Sequence, residues 1–162
     1  APARMPVREI NAFVQEKDDW IHAHLQQMAE KKRLREQYRK QALSKEELQE
    51  LATQAMKLIP QKVHYYAQII GVTYGRITIR NQRTRWGSCS GKGNLNFNCL
   101  LLLMPEEVLD YVVVHELCHR KEMNHSARFW EEVEKILPDY RQRRKWLKDN
   151  GGRIMDRNRQ VS

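Results

Sequence analysis

The chain has 162 residues, a formal net charge of +9, 41% hydrophobic residues and 30% charged residues, which fits an ordinary globular protein with one core. Its longest apolar run, Cys99–Met104, is too short to span a bilayer, and the start "APARMPVREI" lacks the apolar segment of a secretory signal. Three cysteines form neither a disulfide framework nor a CxxC pair. We therefore expect a reducing, cytoplasmic location and no membrane partner.

Positive charge is concentrated in the middle of the chain. Acidic residues are absent between Glu50 and Glu106, whereas basic residues continue throughout, at Lys57, Lys62, Arg76, Arg80, Arg83, Arg85 and Lys92. A basic face attracts acidic partners, of which nucleic acid is the commonest, but a solubilising surface has the same composition. Charge alone therefore leaves a nucleic-acid partner as one of two interpretations.

The N-terminal part reads as helical. Residues 8–28 place apolar side chains at helical spacing, and the pattern thins over residues 29–41, so we predict an arm over residues 1–43. "SKEE" is a capping box with Ser44 at the N-cap and Glu47 at N3, and a helix should follow. Pro60 is expected to kink or split that helix.

Two strands are predicted after Gly71. Residues 72–80, "VTYGRITIR", alternate like a strand, and residues 94–103 start with Asn94, Asn96 and Asn98 on one face before turning wholly apolar. The intervening "NQRTRWGSCSGKG" is too rich in glycine and serine to be regular throughout. The asparagine face is either exposed to solvent or lies beside an extended substrate, as edge strands do.

Three further helices are predicted. Pro105 opens the first, which should run to about Met123, with Asn124 ending it in the left-handed conformation. Ser126 caps the second, which Pro138 stops, and a basic helix then ends near residue 151. We predict a core domain over residues 44–150 and a flexible tail over residues 151–162.

Three of the six histidines lie in "VVVHELCHRKEMNHSARFW", residues 112–130. His115 and His119 are four residues apart, so one face of a helix presents both imidazoles to one zinc ion. In this H-E-x-x-H arrangement, Glu116 reaches the metal-bound water as general base. A catalytic zinc usually has three protein ligands, and His125 is the best third ligand by spacing.

Other interpretations of these histidines stay open. A helix can carry two histidines by chance, but burying them with Glu116 in the apolar "VLDYVVVHELCH" without a partner would cost several kcal/mol. A purely structural zinc site would leave Glu116 without a role, and cysteines usually dominate such sites. Glu122 stands where the metzincin motif has glycine, which argues against a metzincin.

Four segments together resemble the YgjP-like metallopeptidase family, which is related to the SprT and WLM-domain zincins. They are "RWGSCS" at 85–90, "LNFN" at 95–98, "VVVHELCH" at 112–119 and "NHSARFW" at 124–130. The resemblance implies an α+β fold, a minimal zincin in which a small sheet packs on the H-E-x-x-H helix. It also implies zinc on His115, His119 and His125, and a strand-rich segment upstream that ends at "APARMP".

The predicted reaction is hydrolysis of a peptide bond, with Glu116 moving the proton from water to the leaving nitrogen. Arg85, Tyr111 and Tyr140 are candidates for stabilising the oxyanion or binding the substrate, although Arg85 could equally close the core. Two alternatives remain: a nucleic-acid-binding or adaptor protein with a structural zinc, and a zinc hydrolase of a non-peptide amide. The expected partners are a protein or peptide substrate and, through the basic surface, nucleic acid.

Overall fold

A computed structural model of the protein describes residues 18–33 and 42–158. The chain falls into two units, residues 1–41 and 42–162. In the first unit residues 18–33 form helix α1, whose apolar side chains Trp20, Ile21, Leu25 and Met28 are exposed. The predicted start of this helix at residues 8–17 lies outside the described residues. The predicted division into arm, core and tail stays a prediction.

The second unit begins with helix α2, Lys45–Ile70. The predicted capping box is confirmed: the Ser44 hydroxyl accepts a hydrogen bond from the Glu47 N–H at 3.1 Å, and the Glu47 carboxylate accepts one from the Ser44 N–H at 2.9 Å. Pro60 lies inside the helix and does not split it. Gly71 ends the helix with a φ of 81°, a left-handed conformation that glycine adopts without strain.

Three short strands follow, β1 (Ile77–Arg80), β2 (Gly87–Cys89) and β3 (Leu95–Asn98). The sheet order is β1-β3-β2, with β1 parallel and β2 antiparallel to β3. The predicted strand over 72–80 is therefore shorter than expected. The asparagine-bearing strand β3 is central, so the interpretation of its asparagines as an edge beside substrate is wrong.

The second predicted strand also ends early. Residues Cys99–Leu103 form a 3₁₀ helix, because the Asn98 side chain accepts a hydrogen bond from the Leu100 N–H at 3.0 Å and turns the backbone out of the sheet. Asn94 is exposed and Asn96 is half-buried, but Asn98 is fully buried, so the expected exposed asparagine face is wrong at Asn98. Its amide donates to the Gln82 carbonyl at 2.8 Å and to the Arg85 carbonyl at 3.0 Å.

Three helices complete the unit, α3 (Glu106–Cys118), α4 (Ala127–Ile136) and α5 (Tyr140–Asn158). The predicted end of α3 at about Met123 is wrong, since the helix ends five residues earlier in hydrogen-bonded turns, and Asn124 is not left-handed. Ser126 caps α4 as predicted. The helix predicted to end near Gly151 continues to Asn158, because Ile154 and Met155 are buried there.

The core gathers side chains from α2, β3, the 3₁₀ helix, α3 and α4, with Ile59, Phe97, Leu100, Val113, Leu117 and Phe129 fully buried. Helix α3 contacts α2, β2, α4 and α5, so it lies at the centre of the packing. The α+β class predicted from the sequence is confirmed. In the part of the chain that the structure describes, no helix is long and apolar enough to cross a membrane.

Candidate metal centre and active site

The three histidines of the motif meet at one point. One ligand-type nitrogen from each of His115, His119 and His125 lies within 4.8 Å of the others, and the Nε2 atoms of His115 and His125 are 3.2 Å apart. Although α3 ends at Cys118, His119 keeps a helical backbone (φ −64°, ψ −15°), so its ring stays on the same face as that of His115. His125 comes from the loop immediately before α4.

Hydrogen bonds at the Nδ1 atoms orient two of the rings. His119 Nδ1 lies 3.0 Å from the carbonyl oxygen of Glu122, which accepts a hydrogen bond from it, and His115 Nδ1 lies 3.4 Å from the hydroxyl of Tyr111. Both Nε2 atoms are left for the common centre. An imidazole whose second nitrogen is held in this way is typical of metal-ligating histidines, because the partner fixes the tautomer and the ring direction.

Aromatic side chains of helix α4 pack against the three histidine rings. The Phe129 ring is fully buried and stacks on His119, with ring centroids 4.5 Å apart and an interplanar angle of 21°. Trp130 lies with its ring centroid 5.8 Å from that of His115 and 6.0 Å from that of His125. Since Ser126 caps α4 directly after His125, the cap fixes both where the helix begins and where the third imidazole points.

The electrostatics of the group suit a cation. Burial, the neighbouring imidazoles and Arg144 lower the pKa of His115 to about 3, and burial lowers the pKa of His119. Both rings are therefore neutral at physiological pH and present lone pairs. Three imidazoles whose nitrogens meet at one point are a donor set of catalytic zinc sites, so the residues fit zinc. Cys118 is fully buried, and burial raises its pKa to about 12.

Glu116 follows His115 on α3 and is only 7% exposed. Burial raises the pKa of its carboxyl to about 7, while the positive charge of Arg85 lowers it. A bound dication would favour the carboxylate further. The carboxylate lies against β2, where a Cβ built on Gly87 would stand 3.1 Å from Glu116 Cγ and 3.2 Å from its Oε1.

A cavity of about 460 Å³ opens over the histidines and Glu116. Residues 85–89 form one wall, α3 and the turn after it form another, and Leu147 of α5 contributes a third side. Of the three candidates for oxyanion stabilisation or substrate binding, Arg85 and Tyr111 line the cavity. Tyr140 does not line it but stacks on Trp130 at 5.3 Å, one aromatic layer away.

Residues 32–150 match the YgjP-like metallopeptidase domain, which is most of the chain. The chain belongs to the YgjP-like metallopeptidase family. The resemblance drawn from the four sequence segments is therefore confirmed, and by family the protein is a metalloprotease. Among curated proteins, none matches the chain.

Two crystal structures of metallopeptidase zymogens are similar to this YgjP-like chain. That of Pyrococcus abyssi abylysin has a TM-score of 0.52 and 28% sequence identity, covering 62% of this chain and 98% of the other. That of Methanocaldococcus jannaschii jannalysin has a TM-score of 0.51 and 21% identity, covering 57% and 95%. The predicted α+β metallopeptidase fold is confirmed by this similarity.

Several residues of the YgjP-like site were missed by reasoning from the sequence. The strand β2 and Leu147 were assigned no role, yet both line the cavity. Arg144 was considered only as part of the basic segment 141–145 that favours a nucleic-acid partner, yet it lies 4.5 Å from the Trp130 ring centroid. The only signal for β2 was the "RWGSCS" segment of the family resemblance. For Leu147 there was none, because the approach of this part of α5 to the site depends on packing between elements far apart in sequence.

Proposed function

We propose that this protein is a zinc-dependent metallopeptidase in which His115, His119 and His125 hold the zinc ion and Glu116 is the general base. The observation that carries the proposal is the convergence of three imidazoles beside a buried carboxylate in one cavity. Neither a structural zinc site nor a chance cluster would need that carboxylate there.

Zinc supplies the Lewis acid and makes water nucleophilic near neutral pH. Glu116 accepts the proton of the attacking water and donates it to the leaving nitrogen, a transfer for which a pKa near the working pH is best suited. Its burial against β2 restricts the directions in which the carboxylate can point. Tyr111 holds the ring of His115 through its hydroxyl, and the Phe129 ring stacks on that of His119.

The negative charge that develops on the scissile carbonyl oxygen requires a further donor. Arg85 and Tyr111 both line the cavity and both can donate a hydrogen bond. Burial raises the pKa of Tyr111 to about 12, so its hydroxyl keeps its proton at neutral pH. We assign the role to these two residues in preference to Tyr140, whose hydroxyl accepts a hydrogen bond from Arg141.

The substrate is expected to bind in an extended conformation along β2. In the described sheet β2 pairs only with β3, so its other edge offers free backbone donors and acceptors beside the cavity. A peptide can add to such an edge as an extra strand. This replaces β3, which is covered on both sides, as the candidate for substrate contact.

The test is Glu116→Gln, which keeps the size of the side chain but removes the base. We expect the variant to retain zinc, measured by elemental analysis, and to lose peptide hydrolysis by at least about a hundredfold. Glu131→Gln on the exposed face of α4 is the matched control and should leave both unchanged. Retained turnover in zinc-loaded Glu116→Gln would remove Glu116 from this role.

Two other functions remain to be separated from this one. Salt-dependent binding of duplex or single-stranded DNA without peptide turnover would favour a nucleic-acid-binding protein whose zinc is structural. Hydrolysis of small amides but not peptides would favour the non-peptide hydrolase.

The three cysteines are free thiols, which supports a reducing compartment such as the cytoplasm.

A further inference from the structure

A fixed positive charge lies in the lining of the candidate active site. Glu116 is the one acidic residue that lines the cavity within the described part of the chain, and we have given it the role of base. Arg85 also lines the cavity and is exposed, and no carboxylate in residues 18–33 or 42–158 lies within ion-pair distance of its guanidinium. A guanidinium stays protonated at any physiological pH, so this charge is permanent.

A second arginine lies one aromatic ring away from the histidines and does not itself line the cavity. The guanidinium carbon of Arg144 is 4.5 Å from the ring centroid of Trp130, the residue that packs beside His115 and His125. Arg144 precedes the cavity-lining Leu147 by three residues, so both lie on one face of α5. Stacking on an aromatic ring fixes a guanidinium without neutralising it.

The neighbouring residue shows that Arg144 is unusual on this helix. Arg143 donates to the Asp139 carboxylate at 3.0 Å and to the Glu107 carbonyl at 2.9 Å, so its charge is satisfied within the protein. Arg144 has no such carboxylate among the described residues, and its charge acts on the site, where it lowers the pKa of His115 and of Tyr111. Arg85 at the cavity and Arg144 beside Trp130 are thus two fixed cations without an ion pair among the described residues, although the charge of Arg85 also acts on Glu116.

We propose that Arg85 and Arg144 bind acidic side chains of the substrate, so that the enzyme prefers peptides with aspartate or glutamate close to the cleaved bond. The inference rests on the proposed peptidase function and names its substrate class. A carboxylate fits the two-pronged donor geometry of a guanidinium, and it gains most where water is partly excluded. A concave site beside the reacting centre favours a short acidic peptide segment over a nucleic-acid backbone, which needs a longer basic surface.

A peptide library is first screened with the zinc-loaded full chain to find a cleaved sequence and the position of the cleaved bond. Pairs of fluorogenic peptides are then compared that differ only in having glutamate or glutamine next to that bond. We expect the glutamate peptide to have a kcat/KM about five- to tenfold higher at low salt. The ratio should approach one at about 1 M salt, where screening shortens the range of the charges.

Variants assign the preference to the two arginines. Arg144→Gln should reduce the glutamate-to-glutamine ratio while leaving turnover of the glutamine peptide nearly unchanged. Arg85→Gln also removes a proposed oxyanion donor, so it should slow both peptides and reduce the ratio as well. Arg144→Glu should lower the glutamate-to-glutamine ratio below one and should favour a third peptide that has lysine at the same position. Lys145→Gln, an exposed cation on the same helix, is the matched control and should leave the ratio as in the wild type.

The outcomes separate this inference from the proposed function. Equal cleavage of both peptides overturns the preference and leaves the peptidase intact, whereas no cleavage of any library peptide by zinc-loaded protein overturns the function itself. If Arg85→Gln slows both peptides equally, Arg85 acts on the oxyanion and not on selectivity. If short single-stranded DNA competes with the glutamine peptide and Arg144→Gln abolishes the competition, the arginines bind phosphate groups of nucleic acid and the proposal is wrong.

Discussion

Gly87 is the residue at which β2 comes closest to the proposed base. A Cβ at this position would lie 3.1 Å from Glu116 Cγ and 3.2 Å from the carbonyl oxygen of Asn96. The backbone of Asn96 cannot yield without breaking the β2–β3 pairing, so the carboxylate side chain must move instead. We therefore expect Gly87→Ala to lower kcat by about tenfold, because a small displacement of a catalytic group is costly.

The control is Gly91→Ala, in the turn that follows β2, where an added Cβ has no neighbour within 4 Å. This variant should keep wild-type kcat. Melting temperatures of both variants show whether the loss at position 87 is one of activity or of folding. Full activity in a folded Gly87→Ala protein would mean that the close approach does not position Glu116.

Single residues of the site could be predicted from the sequence where their function depends on the spacing between residues close together in the chain. His115, Glu116 and His119 could be predicted because residues four apart share a helix face, and His125 because the backbone turns soon after. Gly87 and Arg144 could not be predicted, since what gives them significance is an approach between distant parts of the chain. A glycine in "RWGS" reads as a turn until the carboxylate packed against it is known.

Among the elements, the loop before β2 is held by one side chain of β3. Asn98 donates its two amide protons to the carbonyls of Gln82 and Arg85 and is itself fully buried. We expect Asn98→Asp to lower the free energy of unfolding by about 3 kcal/mol or more, because a buried carboxylate would face two carbonyl oxygens. Urea denaturation measures the loss.

Asn96→Asp is the matched control for Asn98→Asp, since Asn96 stands two residues earlier on the same strand. Its amide donates only to the Ser88 hydroxyl at 3.2 Å, and that hydroxyl can rotate to donate to a carboxylate. The expected change is below about 1 kcal/mol. Equal losses in the two variants would show that the loop does not depend on Asn98.

Helices α2 and α3 are joined by an ion cluster in which Lys62 binds Glu106 at 2.7 Å and Asp110 at 2.6 Å. Burial lowers the pKa of Lys62, but hydrogen bonds and the two negative charges outweigh it and the pKa is raised above 10.5. The hydrogen bond from Lys62 lowers the pKa of Glu106 below 4.5. The Glu106 contribution to stability is thus present above pH 4.5 and lost as the pH falls through the folded-state value; that of Lys62 is present below pH 10.5 and lost above it.

We expect Lys62→Met to flatten the dependence of unfolding free energy on pH, because Glu106 then has the same pKa folded and unfolded. The wild type should lose more stability than the variant between pH 7 and about pH 3. Lys57→Met, an exposed position on α2, should keep the wild-type profile. Identical acid profiles for wild type and Lys62→Met would show that the cluster does not stabilise the fold.

Helices and strands could be predicted where a capping residue or a regular spacing of apolar residues indicates them within the segment itself. Ser44 and Ser126 begin helices as predicted, because their hydroxyls satisfy backbone N–H groups within the same segment. The run "CLLLL" was read as a strand since hydrophobicity alone does not separate a buried strand from a buried helical turn. The end of α5 was placed too early because two glycines usually stop a helix, whereas here Gly151 leaves room for the Trp86 indole, 3.2 Å from its Cβ position.

At the scale of the whole molecule, the site is assembled from segments spread between Arg85 and Leu147 of the sequence. One cavity is lined by Trp86 and Gly87 on the β2 side, Glu116 on α3 and Leu147 on α5. These residues are brought together by the packing of the elements and not by proximity in sequence. The histidines belong to α3 and to the loop before α4, whose packing against each other is part of the core. A ligand bound by all three histidines would therefore tie two elements together and stabilise the fold.

Metal binding is consequently expected to raise thermal stability. A ligand present at about 1,000 times its Kd stabilises the folded state by about 4 kcal/mol, or roughly 8–16 °C in melting temperature for a chain of this size. Differential scanning fluorimetry of the protein with zinc and with a chelator should show this difference. His125→Ala should lose most of it, because two imidazoles on α3 alone bind the ion weakly and no longer link the helix to the following loop. His64→Ala, an exposed histidine on α2, should keep the full shift. An unchanged zinc shift in His125→Ala would place the ion elsewhere and remove the third ligand from the site.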